Sequence, residues 1–300
     1  MTDLIYKPFN DLEQLATHAA SLIETGQRYL NFFVLAELEV SDILNKPLKD
    51  VTKKAEKWRA KEKPADLFIN HGEFIGDGLT HIVNELGNKP TSNRALYSLI
   101  SEKHIIDQGD NPIPSFMIFQ CTVEADILYC TVYFRALEIA NFFRINLEEI
   151  RLNICEILQQ IRVSKVRLAV LAFSAYNKPD QIPLEKCQLD LMTGLKISDL
   201  YDTTPDKLSE LLDIKAKETT VIDITGLLAI KEWLAPEREG KWPSELNVQK
   251  IISAIDEAIN TATELRNLRC SDSHHNRVDQ VSENYVQMIK KIAEEFRACL

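Results

Sequence analysis

The sequence of 300 residues predicts an α/β protein, in which strands and helices alternate irregularly before a C-terminal helical hairpin. Short aromatic and β-branched runs, typical of buried strands, occur at 30–38, 115–134 and 166–173. Segments with apolar residues at helical spacing lie between and around these runs. Two long amphipathic segments fill residues 245–300. Together these observations predict a mixed sheet with packed helices and a helical appendage.

The first elements follow from the spacing of apolar residues. Residues 11–24 predict an amphipathic helix, and residues 30–38 predict a buried strand. The lysine-rich run 45–63 favours a solvent-exposed helix or loop rather than a binding patch. Residues 79–86 predict a helix that ends at Gly87.

The middle of the chain carries the clearest strand signal. Residues 115–123 and 127–134 flank a short turn and predict a hairpin. Asn146, with Glu149 three positions later, predicts the cap of a following helix. Residues 166–173 predict another buried strand.

The last third predicts helices and a linker. Thr204 and Pro205 form a good cap and first residue for a short helix, and 219–224 predict a strand. The segment 236–244 has linker composition, so the predicted domains are 1–235 and 245–300. Two helices alone bury little apolar surface, so the C-terminal pair must dock on the main domain or on another subunit.

Composition excludes several classes of function. Lys and Arg total 35 against 45 Asp and Glu, which gives a net charge of −10 and makes nucleic-acid binding unexpected without a local basic patch. The start of the chain shows no secretory leader, and apolar stretches reach about ten residues where a membrane helix needs ~20. These features predict a cytoplasmic protein with no membrane contact.

Cofactor and metal motifs are missing from the sequence. The nine glycines form neither a dinucleotide fingerprint nor a phosphate loop. The six cysteines form no C-x-x-C pair, which favours reduced, buried thiols. We therefore expect no cofactor and no metal site.

Four segments in order carry a family resemblance. They read LGNKPTSNRALYSL at 86–99, NPIPSFMIFQCTV at 111–123, ILYCTVYFRALEIANFFRIN at 127–146 and SAYNKPDQ at 174–181. They resemble the Asp-Pro-x-Ser-Arg-Arg turn, the nucleophile strand, the phosphate-arginine strand and a later Tyr-Ser-Asn motif of thymidylate synthases and pyrimidine-nucleotide hydroxymethylases. The resemblance covers about one third of the chain. It implies a mixed, bent sheet with helices packed on one face, and a homodimer in which two sheets stack back to back.

The resemblance places Ser115 where the family has its catalytic cysteine. The family's chemistry needs a thiolate, and a serine hydroxyl is far less acidic and needs an adjacent base. Phe116 follows it, so no neighbouring residue supplies that base. The family's folate-side Glu helix, paired Trp and closing C-terminal tail have no counterparts either. We therefore interpret Ser115 as inert and expect no normal methylase activity.

The resemblance also implies a partial ligand site. Arg135 falls at the phosphate arginine, and Arg94 at the surviving member of an arginine pair that serves the partner subunit's site. Asn146 falls at the residue that reads the base, although a plain helix cap explains it equally well. Asn177 is a candidate sugar or base contact, and Glu138 replaces a family Asp. The alternative is that both arginines form structural salt bridges.

Three functions fit these residues. The leading hypothesis is a pseudoenzyme or sensor that binds a pyrimidine nucleotide or another phosphorylated ligand, with C-terminal helices that contact a protein partner. The second is an enzyme that transfers a one-carbon unit to a pyrimidine nucleotide without a covalent cysteine, which needs a basic group within ~3 Å of the Ser115 hydroxyl. The third is a structural dimeric interaction protein whose cleft is filled by aromatic residues, namely Phe116, Phe142, Phe143 and Phe173.

Overall fold

The computed structural model describes residues 5–67, 69–106, 113–179, 191–217, 222–238, 242, 246–271 and 277–298. These residues form two compact units, one within 5–179 and one within 191–298. The first contains a mixed sheet with helices, and the second is helical and includes the C-terminal pair. The predicted mixed α/β class is therefore confirmed.

The first unit is built on a six-stranded mixed sheet. Its strands are β1 (Lys7–Pro8), β2 (Arg28–Glu39), β3 (Leu96–Ser98), β4 (Phe116–Glu124), β5 (Ile127–Glu138) and β6 (Lys165–Tyr176). Their order across the sheet is β1-β2-β6-β5-β4-β3. β5 and β6 are parallel, as are β1 and β2, and the other neighbours are antiparallel.

The predicted hairpin is confirmed as β4 and β5. Glu124 pairs with Ile127, so Ala125 and Asp126 form a two-residue turn. Both have positive φ angles, +49° and +64°, as the common hairpin turns of this length require. β5 continues to Glu138, beyond the predicted end at residue 134.

Seven helices accompany the described part of this sheet. They are α1 (Leu12–Ser21), α2 (Val40–Asn45), α3 (Thr52–Arg59), α4 (Gly72–Ile75), α5 (Gly78–Asn88), α6 (Glu102–Ile106) and α7 (Phe142–Leu158). α1 confirms the first predicted helix, and the Asp11 carboxylate caps it by accepting the Gln14 N–H at 2.8 Å. The predicted stop at Gly87 was wrong, because α5 continues through Gly87 to Asn88.

The helix α7 begins one turn earlier than the sequence predicted. Its first residue is Phe142, so Asn146 lies inside the helix and does not cap it. α7 contacts α1, α2, α3 and α5, and also packs on β5. It is the central helix of the layer that covers one face of the sheet.

The two faces of the sheet differ in burial because successive side chains of a strand point to opposite sides. On β2, Phe32 and Val34 are buried beneath the helices, whereas Phe33 is exposed. On β6, Val170 and Ala172 are buried, whereas Leu171 and Phe173 are exposed. One face is therefore a packed core, and the other, which we call the open face, carries no helical layer among the described residues.

The second unit is made of helices only in its described part. These are α8 (Ile197–Tyr201), α9 (Pro205–Lys215), α10 (Thr225–Trp233), α11 (Val248–Ser271) and α12 (Arg277–Arg297), with a 3-10 turn at Pro236–Arg238. Thr204 caps α9 as predicted, because its side chain accepts the Lys207 N–H. None of the described helices is long and apolar enough to cross a bilayer.

The second unit also differs from two sequence expectations. Residues 222–224 form no strand, and the rest of the predicted strand 219–224 lies outside the described residues. The C-terminal pair was expected as a domain of its own after residue 244. Instead, α11 and α12 share one apolar core with α8, α9 and α10, so 191–235 group with the pair and not with the sheet.

Candidate functional site

Four of the six predicted site residues lie at one end of the sheet. β5 and β6 are parallel and end there, so Glu138 closes β5 and Asn177 directly follows β6. The antiparallel β4 begins at the same end, immediately after Ser115. The Arg135 backbone N–H donates to the Ser115 carbonyl at 2.9 Å. The topology therefore gathers these four residues at this end of the sheet.

Ser115 has no chemical activation in this setting. The residue is half-buried, and its hydroxyl makes no hydrogen bond with any part of the chain that the structure describes. A serine nucleophile needs a base within hydrogen-bond reach. The hypothesis of one-carbon transfer without a covalent cysteine requires a basic group beside Ser115, and the described residues supply none.

Arg135 is a cation held by backbone oxygens. Its Nε donates to the Pro114 carbonyl at 3.2 Å, and one Nη donates to the Ile113 carbonyl at 2.9 Å. Partial burial lowers the pKa of the guanidinium, and no carboxylate within the described ranges forms an ion pair with it. Among the described residues its positive charge is therefore uncompensated, which suits an anionic ligand and gives no support to the structural salt-bridge alternative for this residue.

Glu138 is a helix cap. Its carboxylate accepts the backbone N–H groups of Ala140, Asn141 and Phe142 at 2.7–2.8 Å. Ala140 and Asn141 directly precede α7 and Phe142 is its first residue, and the amides at the start of a helix have no partner within it. The negative charge also lies at the positive end of the helix dipole. Glu138 therefore fixes where α7 begins, and its carboxylate oxygens are already occupied.

Asn177 fastens the end of α1 to the sheet. Its side-chain amide donates to the Ile23 carbonyl at 2.7 Å, and its backbone carbonyl accepts the Gly26 N–H at 2.7 Å. Gly26 has a φ of +80°, a conformation that glycine adopts without strain. Asn177 thus holds this turn in place, and a ligand contact by its amide nitrogen would compete with these bonds.

Asn146 is buried and incompletely bonded. It is 1% exposed, and its Nδ2 has no hydrogen-bond partner among the described residues. An unsatisfied buried donor destabilises a fold by about 1–3 kcal/mol. The residue therefore has no evident structural role, and the prediction that it caps a helix was wrong.

Arg94 lies away from the other candidates. It is exposed and precedes β3, whose Leu96 pairs with Gln120 of β4. Ser115 precedes the opposite end of β4, roughly 20 Å away at ~3.3 Å per residue. The structure therefore does not bring Arg94 next to Arg135 within one chain. Its predicted role in a partner subunit's site stays a prediction.

Sequence reasoning missed a buried polar cluster in the helical layer. His71 Nδ1 lies 2.8 and 3.0 Å from the two carboxylate oxygens of Glu149, and both side chains are buried. The His71 ring also packs on Trp58 and Phe116, with ring centroids 4.8 and 5.6 Å apart. Trp58 Nε1 is a second buried donor without a partner in the described part of the chain.

A second buried pair lies one residue away on α7. Arg151 donates from Nε and Nη2 to the two oxygens of Glu148, both at 2.8 Å. Glu148 also accepts the Leu48 N–H at 3.0 Å and the Thr52 hydroxyl at 2.9 Å. The carboxylate thus bonds Arg151 of the same helix as well as Leu48 and Thr52, and it ties α7 to the start of α3 and the residues before it.

Close backbone packing positions His71. Its N–H donates to the Trp58 carbonyl at 2.9 Å, and the Asn70 side chain donates to the Ala60 carbonyl at 2.7 Å. A Cβ on Gly72 would lie 2.0 Å from the Ala60 oxygen, so only glycine fits there. The chain from 70 to 72 is therefore pressed against the end of α3.

A surface pocket of about 430 Å³ opens beside this cluster. Its charged and amide side chains are Glu56, Arg59, Lys61, Asp77, Asn153 and Glu156. Arg59 is bonded to Asn153 and Glu156, and Asn153 donates to the Tyr97 hydroxyl at 3.0 Å. The pocket is therefore lined by side chains that already satisfy one another.

One local signal could have revealed the cluster. Asn146, Glu149 and Asn153 recur at helical spacing, so a helix that begins at Phe142 places them on one face. Interpreting Asn146 and Glu149 as a capping box removed them from the helix interior. Their partners lie far away in the sequence, where no local pattern identifies them. Among the described residues, no group of three or more His, Cys, Asp or Glu side chains is placed to hold a metal.

Comparison with known proteins adds no assignment. No protein-family model matches the chain, and no curated protein is significantly similar to it. The fold and the site together define a mixed α/β protein with a one-sided sheet and a helical second unit.

Proposed function

We propose that this protein is a non-catalytic interaction protein that forms a homodimer through the open face of its sheet. The observation that carries the proposal is the exposed apolar surface of that face. Phe33 is 63% exposed and Phe173 is 53% exposed, and the partly exposed Leu171 lies opposite Phe33 in register. Large contiguous apolar patches on a protein surface mark sites of association.

The charges beside this patch favour a second copy of the chain as the occupant. Glu37 accepts hydrogen bonds from Lys165 at 2.7 Å and from Arg167 at 2.8 Å, on the same face. Because these two signs are paired within one chain, this part of the face brings little like-charge repulsion into a two-fold contact. The resemblance to thymidylate synthases, whose sheets stack back to back, agrees with this arrangement.

The covered face supports the non-catalytic part of the proposal. Phe116 and Phe143 are fully buried, and Phe116 stacks on Phe134 with centroids 5.0 Å apart. Phe142 packs edge-on against Trp58. Of the four aromatics expected to fill the cleft, Phe116 and Phe143 therefore pack in the interior and Phe142 is half-buried, whereas Phe173 lies on the open face.

The dimer is tested by light scattering coupled to size exclusion. The full chain should elute as a dimer, and Phe33→Glu combined with Phe173→Glu should elute as a monomer, because buried carboxylates would have no partner. Ile105→Glu is the matched control, since Ile105 is 59% exposed on α6 and should leave the dimer intact. A wild-type monomer at all accessible concentrations would refute the proposal.

A second candidate function is the binding of a pyrimidine nucleotide or another phosphorylated ligand at Arg135. Arg135, which has no ion-pair partner among the described residues, supports it, because a guanidinium binds phosphate through charge-assisted hydrogen bonds. Arg135 also lies on the open face beside Phe173. In a face-to-face dimer, Arg94 of the second copy would supply the second cation.

Thermal shift with nucleotides tests this second function. Pyrimidine and purine mono-, di- and triphosphates are compared with inorganic phosphate, and a ligand at 100 times its Kd should add about 2.7 kcal/mol of stability. Arg135→Ala should abolish the shift, whereas Arg162→Ala, an exposed arginine at the other end of the sheet, should preserve it. An equal shift in both variants would refute the assignment of Arg135.

The two remaining hypotheses are less favoured. One-carbon transfer would need a base at Ser115, and the described residues offer none. A protein partner for the C-terminal helices stays a prediction, because their apolar stripes are already buried within the second unit.

A further inference from the structure

Two cysteines face each other across the central hairpin. Cys121 of β4 pairs in register with Cys130 of β5, and their Sγ atoms lie 3.5 Å apart. Both are free thiols and are buried on the side of the sheet that the helices cover. Nothing in the proposed functions uses this pair.

The backbone geometry of the pair suits a disulfide. The Cys121 N–H donates to the carbonyl of Ala95, the residue before β3, at 2.8 Å, so it points away from β5. Cys121 and Cys130 therefore form a non-hydrogen-bonded pair, in which Cα atoms are about 4.5 Å apart. Disulfides span Cα distances of about 4.4–6.8 Å. The two-residue turn at Ala125 and Asp126 fixes the register that places these thiols together.

We propose that Cys121 and Cys130 form a thiol–disulfide site that closes in the presence of an oxidised low-molecular-weight disulfide. One cysteine, as its thiolate, attacks the reagent disulfide and releases one reagent thiolate. The other cysteine, as its thiolate, then attacks the mixed disulfide and releases the second. Each cysteine gives up its proton to a reagent thiolate, and the reagent is reduced by two electrons while the Cys121–Cys130 bond forms.

Burial controls when this reaction takes place. Burial raises the pKa of the Cys121 thiol, so little thiolate exists in the closed fold. Reagent access therefore requires the hairpin to open or to be still forming. Cys270 is exposed, and Cys155 is half-buried beside Arg151, so both are single-thiol references in the same chain. The pair differs from them because each sulfur has a second sulfur in contact.

Oxidative refolding of the full chain tests the site. The protein is refolded from denaturant in mixtures of reduced and oxidised glutathione, alkylated and digested. Trypsin releases residues 104–135 as one peptide that contains both cysteines. The expected product lacks both alkyl groups and is lighter than the reduced peptide by two hydrogen atoms. Cleavage after Glu124 should then yield two chains that remain linked until they are reduced.

Two variants test whether the cross-link joins Cys121 to Cys130. Cys155→Ser combined with Cys270→Ser should keep the cross-link, whereas Cys130→Ala should lose it and leave Cys121 alkylated. The main readout is made on the wild-type chain in the denatured state, so it does not depend on whether a variant folds. If residues 104–135 stay doubly alkylated at every ratio that oxidises Cys270, or if Cys121 pairs with another cysteine, the inference is wrong.

Discussion

The two sides of the sheet differ in where their ion pairs lie, buried on one side and near solvent on the other. In the helical layer, Glu148 and Arg151 form a buried pair whose oxygens and nitrogens are almost all bonded. On the open face, Glu37 is paired with Lys165 and Arg167 at the edge of solvent. The buried pair fixes how three segments pack, whereas the ion pairs of Glu37 offset charges beside the apolar patch of the open face. Both are carboxylate–cation pairs, but breaking the buried pair should cost more stability, because its charges are shielded from water and those of the surface pair are not.

The largest expected effect comes from breaking the buried pair on one side only. Glu148→Ala leaves Arg151 buried without its counter-charge, and we expect a loss of about 3–5 kcal/mol in the free energy of unfolding. Urea denaturation followed by circular dichroism measures it. Glu148→Leu with Arg151→Met removes both charges and should be less destabilised than the single variant. A loss below about 1 kcal/mol in Glu148→Ala would show that the two sides do not differ.

The next prediction concerns the loss of stability caused by the same substitution, Leu to Ala, on opposite faces of β6. Leu168 of β6 is fully buried beneath the helices, and Leu171 is partly exposed on the open face. Leu168→Ala should destabilise the fold by about 2–5 kcal/mol through lost burial and a cavity. Leu171→Ala should stay within about 0.5 kcal/mol at protein concentrations where the chain is monomeric. Equal losses would mean that the open face is covered within the monomer.

A smaller effect of opposite sign is expected at Asn146. Replacing a buried donor that lacks a partner by an apolar residue of similar size removes its desolvation penalty. Asn146→Leu should therefore raise the unfolding free energy by about 1 kcal/mol. Asn153→Leu, which breaks bonds to Arg59 and Tyr97, is the control and should lower it. Destabilisation by Asn146→Leu would indicate that the Asn146 amide is bonded in solution.

The smallest effect depends on pH. Hydrogen bonds from Lys165 and Arg167 lower the pKa of Glu37 below its unfolded value. A carboxyl group shifted in this direction stabilises the fold above the unfolded pKa, about 4.3, and loses that contribution as the pH falls through the folded pKa. Glu37→Gln should therefore cost about 0.5–1 kcal/mol at pH 7. The difference in unfolding free energy between Glu37→Gln and wild type should shrink as the pH falls, and a constant difference down to pH 3 would contradict this.

Elements with local signals were predicted well from the sequence. The hairpin of β4 and β5 is specified by alternating side chains and a short turn, and the predicted cap Thr204 accepts the N–H three residues later. The start of α7 was missed because its cap, Glu138, closes a strand and would not be recognised as part of a helix. A capping pattern at Asn146 matched the sequence rule but lies in the helix interior.

The candidate site was predictable only where the topology of the sheet places it. Ser115, Arg135 and Glu138 were singled out by the family resemblance, and they lie near one another in the structure because neighbouring strands of a hairpin carry them. The partners of His71 and Arg59 lie on α7, far along the chain, and side-chain packing alone selects them. The second unit was divided wrongly for the same reason, since only packing joins α10 to the C-terminal helices.

The position of β6 in the sheet has a consequence for synthesis of the chain. β2 ends at Glu39, yet its antiparallel neighbour β6 begins only at Lys165, and β6 also completes the pairing of β5. During translation the β4–β5 hairpin can form as soon as it emerges, whereas β2 has no strand beside it beyond the short β1. Such long-range pairing slows folding, because a large loop must close before its contacts form. If a ribosome paused before residue 165, strand β2, with Phe32 and Phe33, would not yet be paired with β6.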